Sequence, residues 1–238
     1  MKQVKDLKIK IFSDGADKKD MLEMNNNMLI KGLTTNPSLM KKAGIKDYKV
    51  FAKDILATIK KKPISFEVFS DDFSEMEKQS MEIASWGENV YVKIPITNTK
   101  KESSVKLIKL LSEKKVKLNI TAIMNLDQVK SVMSVLNHTV PSIVSVFAGR
   151  VADTGRDPVP LMTQCLKETK NNQNAELLWA SSRELLNIFQ AEEIGCHIIT
   201  LTKDIIKKLE KVGYDLEEYS LDTVKDFYND ALNAKYKI

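Results

Sequence analysis

Short apolar runs recur along the chain at 8–14, 32–36, 64–69, 90–96, 117–123, 142–149, 176–182 and 197–202, and each reads as a strand. Between them the apolar residues fall at helical spacing. Met76, Ile83 and Ala84 share a face with Glu75, Lys78 and Glu82 outside it; Val105, Leu107, Ile108 and Leu111 stand among Lys106, Lys109 and Lys114. Ser38, Asp47, Ser74, Asp127, Asp157 and Thr202 stand where helices should start, and the helix before the last strand should end near Gly195. Eight strand–helix alternations predict an α/β protein, a (β/α)8 TIM barrel, with a Rossmann-like open sheet as the alternative. No stretch rich in Pro, Gly or Ser interrupts the order, so residues 1–238 are expected to form a single barrel domain. An apolar stripe at Leu221, Val224, Phe227, Tyr228, Ala231 and Leu232 follows the eighth strand. It predicts an additional C-terminal helix, with 220–238 as an extension that covers either its own barrel or a neighbouring subunit.

The period of two within each strand carries the chemistry. Val90, Val92, Ile94 and Ile96 point one way; Tyr91, Lys93 and Pro95 point the other, into whatever the sheet encloses. An ammonium in a poorly solvated space is disfavoured against the neutral amine. A neutral amine attacks a carbonyl to form a Schiff base. Glu67 lies opposite Phe66 and Val68, and Asn119 and Thr121 lie opposite Leu118, Ile120 and Ala122. Asp14 and Asn36 fall at the carboxyl ends of the first two strands. Ser145 and Phe147 share one face of the sixth, with Gly149 and Arg150 just beyond. Carboxyl ends are where barrels build their sites. Each residue has a plainer reading: a helix cap for Asp14, an ion pair with Glu67 or Asp14 for Lys93, hydrogen-bonded core for the amides and hydroxyls. Their convergence on one volume would be costly without a use. Arg150 and Arg183, with Ser181 and Ser182, would meet at the rim as a phosphate site, whereas Arg156 reads as an ordinary surface residue.

Composition narrows the classes. The 37 Lys+Arg against 32 Asp+Glu leave +5, scattered among acids rather than gathered in a block, which argues against nucleic acid. Cys165 and Cys196 make no metal-ligand spacing, and His138 and His197 have no partner at such spacing. The first ten residues are polar and lysine-rich, unlike a signal peptide, and no apolar run is long enough to span a bilayer. A cytoplasmic protein without membrane or nucleic-acid partners is expected.

Seven stretches, in order, resemble the transaldolase family over nearly the whole chain: Ile11-Phe12-Ser13-Asp14-Gly15, Gly32-Leu33-Thr34-Thr35-Asn36-Pro37-Ser38-Leu39, Ser65-Phe66-Glu67-Val68, Val92-Lys93-Ile94-Pro95, Leu118-Asn119-Ile120-Thr121, Ser145-Val146-Phe147-Ala148-Gly149-Arg150 and Trp179-Ala180-Ser181-Ser182-Arg183. The resemblance implies a class I mechanism needing neither metal nor cofactor. Lys93 would form a Schiff base with a ketose phosphate, and a dihydroxyacetone unit would pass to an aldose phosphate. It further implies Asp14 as the proton carrier at the hydroxyl beside the breaking bond, and Glu67 and Thr121 as holders of a proton-shuttling water. Asn36, Asn119 and Ser145, with Thr34 near them, would hold the three-carbon fragment; Arg150, Arg183 and Ser181 would anchor the phosphate. A place in the pentose phosphate pathway and a homo-oligomer assembled through the C-terminal helix are also implied. The related fructose-6-phosphate aldolases, which release free dihydroxyacetone, carry a glutamine and a tyrosine where this chain has Glu67 and Phe147. The resemblance therefore favours transfer, with aldol cleavage or a noncatalytic phosphosugar-binding barrel as the alternatives.

Overall fold

The computed structural model describes residues 3–237; Met1, Lys2 and Ile238, which end the expected domain and its extension, lie outside the described residues. The chain divides into two compact units, one of residues 8–206 and the other of the residues up to 7 with those from 207 onward.

In the first unit, β1 (Lys10–Asp14), β2 (Ile30–Thr34), β3 (Ile64–Glu67), β4 (Val90–Pro95), β5 (Leu118–Ile123), β6 (Ser142–Val146), β7 (Ala175–Trp179) and β8 (Ile198–Thr202) form a closed barrel in sequence order. Neighbours are parallel, and β1 pairs with β8 from Lys10 opposite Ile198 to Asp14 opposite Thr202. That pairing decides for a TIM barrel over an open sheet. Helices return the chain: α1 (Lys18–Asn26), α2 (Pro37–Lys42) and α3 (Tyr48–Thr58), α4 (Phe73–Ala84), α5 (Val105–Glu113), α6 (Leu126–Met133), α7 (Ala148–Ala152) and α8 (Pro158–Thr169), α9 (Leu186–Glu193), then α10 (Lys203–Lys207) directly after Thr202.

The period of two sorts the core into layers. Outward residues such as Leu33, Phe66, Val92, Ile94, Ile120, Val144, Trp179 and Ile199 are buried, as befits parallel strands with helices along their outer faces. Inside, Phe12, Ile143, Leu178, Ala180 and Ile198 form one cluster against which Tyr91 and Phe147 pack. Gly32 makes room for it, since a Cβ there would lie 2.4 Å from the tip of the Phe12 ring. The β1–β2 register shifts at this point, between Ile11 and Phe12.

Several boundaries differ from the sequence reading. β2 ends at Thr34 rather than 36, because Asn36 accepts the Leu39 N–H and Pro37 opens α2. β6 stops at Val146 and β7 at Trp179, where the chain turns into the rim loops. Asp47 and Asp157 cap α3 and α8 as expected. The caps of α2, α4 and α6 are Asn36, Asp72 and Asn125, each two residues before the expected Ser38, Ser74 and Asp127. The displaced residues sit inside the first turn, where polar and acidic side chains are also favoured by the helix dipole. Asp17, not Asp14, caps α1.

In the second unit, a 3-10 turn (Lys208–Lys211) precedes α11 (Leu216–Ala234). Asp215 caps this helix through the Glu217 and Glu218 N–H groups, and the Tyr214 hydroxyl donates to Asp222 at 2.7 Å. No α11 residue is buried, and Leu221, Val224, Phe227, Tyr228 and Leu232 are exposed. Among the described residues, no helix is long and apolar enough to cross a membrane.

Candidate active site

Lys93 stands near the carboxyl end of β4, register-paired with Glu67 on β3 and Asn119 on β5, so alternation turns all three into the barrel. It is only 6% exposed. Its Nζ donates to the Thr35 carbonyl at 3.0 Å and lies 3.2 Å from Glu67 Oε2. A lysine this deep is tolerable because each charge has an opposite one and the amine has a fixed acceptor. Glu67 is itself held by its backbone: its N–H donates to the Tyr48 hydroxyl at 2.7 Å, and its carbonyl accepts from the same hydroxyl at 2.8 Å. Burial pushes the Tyr48 phenol above its ordinary value, which keeps it a neutral donor. Sequence reasoning missed Tyr48, which sits on α3 with no strand alternation to mark it.

Around Lys93 lies a cavity of about 100 Å³. Nine of the expected site residues line it: Asp14, Thr34 and Asn36; Lys93, Thr121 and Ser145; Phe147, Arg150 and Ser181. Leu178, Ala180 and Thr200 complete the wall. A larger groove, about 840 Å³, runs between α4 and α5 and contains none of these residues. The smaller cavity is the chemical one, because there the buried Lys93 amine converges with the Asp14 carboxyl and with the buried Thr34, Thr121, Ser145 and Thr200.

Asp14 and Lys93 face the same cavity from β1 and β4. Thr34 donates its hydroxyl to Asp14 Oδ1 at 2.7 Å and lies 2.7 Å from the Thr200 hydroxyl. Burial raises the Asp14 carboxyl above the usual aspartate range, against the opposing pull of the Lys93 charge and the Thr34 hydrogen bond. Extending the alternation from Ile198 along β8 would have turned Thr200 inward, so this residue was legible and overlooked.

On β5 the register breaks after Ile120, and pairing with β6 resumes only at Ile123 opposite Val146. Ala122 is left-handed, at φ 61°. Thr121, beside it, keeps the inward direction that alternation from Asn119 gives it. Thr121 lines the cavity, and its buried hydroxyl has no hydrogen-bond partner among the described residues. Such a group is built to meet a water or a ligand. Deeper in the barrel, Asn119 joins three strands, accepting from Ser145 at 2.6 Å and donating to Ser65 at 2.9 Å. Asn119 is fully buried and is not part of the cavity wall; Ser145 is.

The rim holds the arginines. Arg150 lines the cavity, its guanidinium 5.4 Å from the centre of the Phe147 ring. Arg183 does not line it. Its Nε donates to Asp153 Oδ1 at 2.9 Å, its Nη2 donates to Asp153 Oδ2, and its Nη1 reaches both the carbonyl and the hydroxyl of Ser181 at 3.0 Å. The Arg183 guanidinium holds the exposed Asp153 carboxyl below its ordinary range. Ser181 adopts φ 63°, an unusual state for a residue with a side chain. Gly149 accommodates it, because a Cβ there would come within 1.7 Å of the Ser181 carbonyl oxygen. Arg156 bonds only locally, to the Thr154 hydroxyl.

The sequence comparisons carry the same signal. Residues 11–238 match the family model described as Transaldolase/Fructose-6-phosphate aldolase. The chain belongs to this family. It is 33% identical over 205 residues to a probable transaldolase of Sulfurihydrogenibium sp., covering 85% of this chain and 89% of that protein. It is also 33% identical over 202 residues to a probable transaldolase of Methanococcus maripaludis, covering 84% and 89%. Among solved structures, a KGPDC from Streptococcus mutans superposes with a TM-score of 0.57 at 8% identity, over 84% of this chain and 90% of that one. That likeness concerns the barrel fold alone.

Proposed function

We propose that the protein is a transaldolase that moves a dihydroxyacetone unit from a ketose phosphate to an aldose phosphate through a Schiff base on Lys93. The observation that carries this reading is the buried Lys93 amine, 3.2 Å from Glu67 and facing a cavity shared with Asp14 and an unpartnered Thr121 hydroxyl. With its proton passed to Glu67, the Lys93 nitrogen attacks the keto carbon, and the carbinolamine loses water to give the imine. Glu67 and Thr121 hold the water that carries protons between nitrogen and oxygen in these steps. Asp14 then takes the proton of the hydroxyl beside the bond to be broken. That carbon–carbon bond cleaves, the aldose phosphate leaves, and its electron pair is retained as the enamine on Lys93. Addition of a second aldose phosphate reverses the sequence, and Asp14 returns the proton to the new hydroxyl. Hydrolysis of the imine frees the amine.

Asn36 and Ser145, with Asn119 behind Ser145 and Thr34 beside Asp14, hold the hydroxyls of the three-carbon unit. Arg150 and the Ser181 hydroxyl take the phosphate, with Arg183 fixing Ser181. Phe147 presents an apolar face that can donate no hydrogen bond to water. Water activation then rests on Glu67, which favours transfer over release of free dihydroxyacetone. The exposed stripe of α11 is read as the surface through which copies associate, and the setting as cytoplasmic sugar-phosphate metabolism. A panel of ketose phosphate donors with aldose phosphate acceptors tests the assignment. Transfer product in large excess over free dihydroxyacetone is expected; free dihydroxyacetone as the main product would assign aldol cleavage, and neither product would leave a binding barrel.

A further inference from the structure

We propose that Thr200 is a positioning residue for Asp14, acting through Thr34; this rests on the acid–base role given to Asp14 above. Thr34 has one hydroxyl hydrogen and two close partners, Asp14 Oδ1 and the Thr200 hydroxyl, each at 2.7 Å. When Asp14 is ionised it can only accept, so the Thr34 hydrogen is committed to the carboxylate and Thr200 must be the donor to Thr34. When Asp14 carries the substrate's proton, it can donate to Thr34, and both hydroxyls can rotate to pass the donor direction along. The pair thus supports both states of Asp14 without moving a heavy atom.

Thr200 is 7% exposed and Thr34 2%, so neither hydroxyl has bulk water as a substitute partner. The chain of three groups spans β1, β2 and β8, adjacent strands at the point where the barrel closes. Bonds in such a chain polarise one another, and donation from Thr200 strengthens the bond Thr34 gives to Asp14. The charged groups around Asp14 come from other elements: Lys93 of β4 and Arg150 of α7 across the cavity, with Asp17 and Asp20, Lys42 and Lys203 about the recess on its other side. Lys203 is already paired with Asp20 at 2.6 Å, and Lys93 with Glu67. The two threonines are thus an uncharged control on a carboxyl otherwise set by burial and Lys93.

The test compares Thr200→Val, which keeps shape and removes the hydroxyl, with Thr200→Ser, which restores it. A hydrogen bond given to a carboxylate lowers its pKa, so weakening it raises the pKa. Thr200→Val should lower kcat roughly tenfold, the scale of one charge-assisted bond. It should also move the acidic limb of the kcat–pH profile to higher pH, while KM for the ketose phosphate stays within about twofold. Thr200→Ser should return both kcat and the limb to the parent values. A Val variant with an unmoved limb, or a Ser variant that stays as impaired as Val, would overturn the proposal. Asp14→Asn is run alongside. If it keeps parental turnover, the role of Asp14 falls and this inference with it; if it loses turnover while Thr200→Val leaves the profile in place, only the inference about Thr200 falls.

Discussion

At Asp14 stability and chemistry pull in opposite directions. Burial raises its carboxyl, so the folded chain holds the proton more tightly than the unfolded chain. Stability therefore declines as pH climbs from the ordinary aspartate range through the raised folded value, and the penalty is fully present above it. Asp14→Asn removes that penalty and also the proposed proton carrier. We expect it to cut kcat by roughly 10²- to 10⁴-fold. It should also raise the unfolding temperature relative to the parent, by more at neutral pH than in acid. Equal unfolding temperatures at neutral pH would show that the site does not strain the fold through this group. Lys93, also buried, has its charge compensated by the Glu67 carboxylate and the Thr35 carbonyl. Lys93 was legible from strand alternation, which turns on parity alone, and Asp14 from its place at the carboxyl end of β1. Their partners were less so: Thr35 acts through its carbonyl, and Tyr48 reaches in from a helix, neither of which leaves a mark on the pattern of side chains.

Among the elements, the strands were the easier to read. Runs such as Val90 to Pro95 are apolar on their outer face and flanked by turns, so even approximate limits placed the inward residues correctly. Helix starts were less exact, because polar residues crowd the first turn: Asp72, Ser74 and Glu75 can all stand near an N-terminus, and only geometry picks Asp72. The β5 bulge at Ala122 could not be read at all, since alanine gives no warning of a left-handed turn. The rim at Gly149 and Ser181 is similar, its tight packing depending on a close approach invisible in either segment alone. The apolar stripe of α11 was legible, and it carries a prediction. Phe227, exposed at 69%, lies within it. Phe227→Glu should reduce the mass of the full chain in light scattering towards that of one copy while its circular dichroism is retained. A parent chain that is already a single copy, or a variant with undiminished mass, would remove α11 from the assembly.

For the molecule as a whole, barrel closure brings the site together. Pairing of β1 with β8 sets Asp14 and Thr200 beside Thr34, while β3 to β6 bring Glu67, Lys93, Asn119, Thr121 and Ser145 round the other side of one ring. Residues far apart in sequence meet because each faces the same axis towards the carboxyl end of its strand, with Asn119 one layer below Thr121 and Thr200 one layer below Asp14. The proposed substrate class was not written in this geometry; it came from the resemblance and from the family match, while the barrel supplies a buried amine, a buried carboxyl and two rim arginines. The most direct test reduces the full chain with borohydride in the presence of fructose 6-phosphate and locates the adduct by mass spectrometry of its peptides. The account predicts a reduced sugar adduct on Lys93, absent from Lys93→Met, which should also have no turnover. No adduct on Lys93 from a chain that turns over, or undiminished turnover in Lys93→Met, would contradict covalent catalysis through this amine.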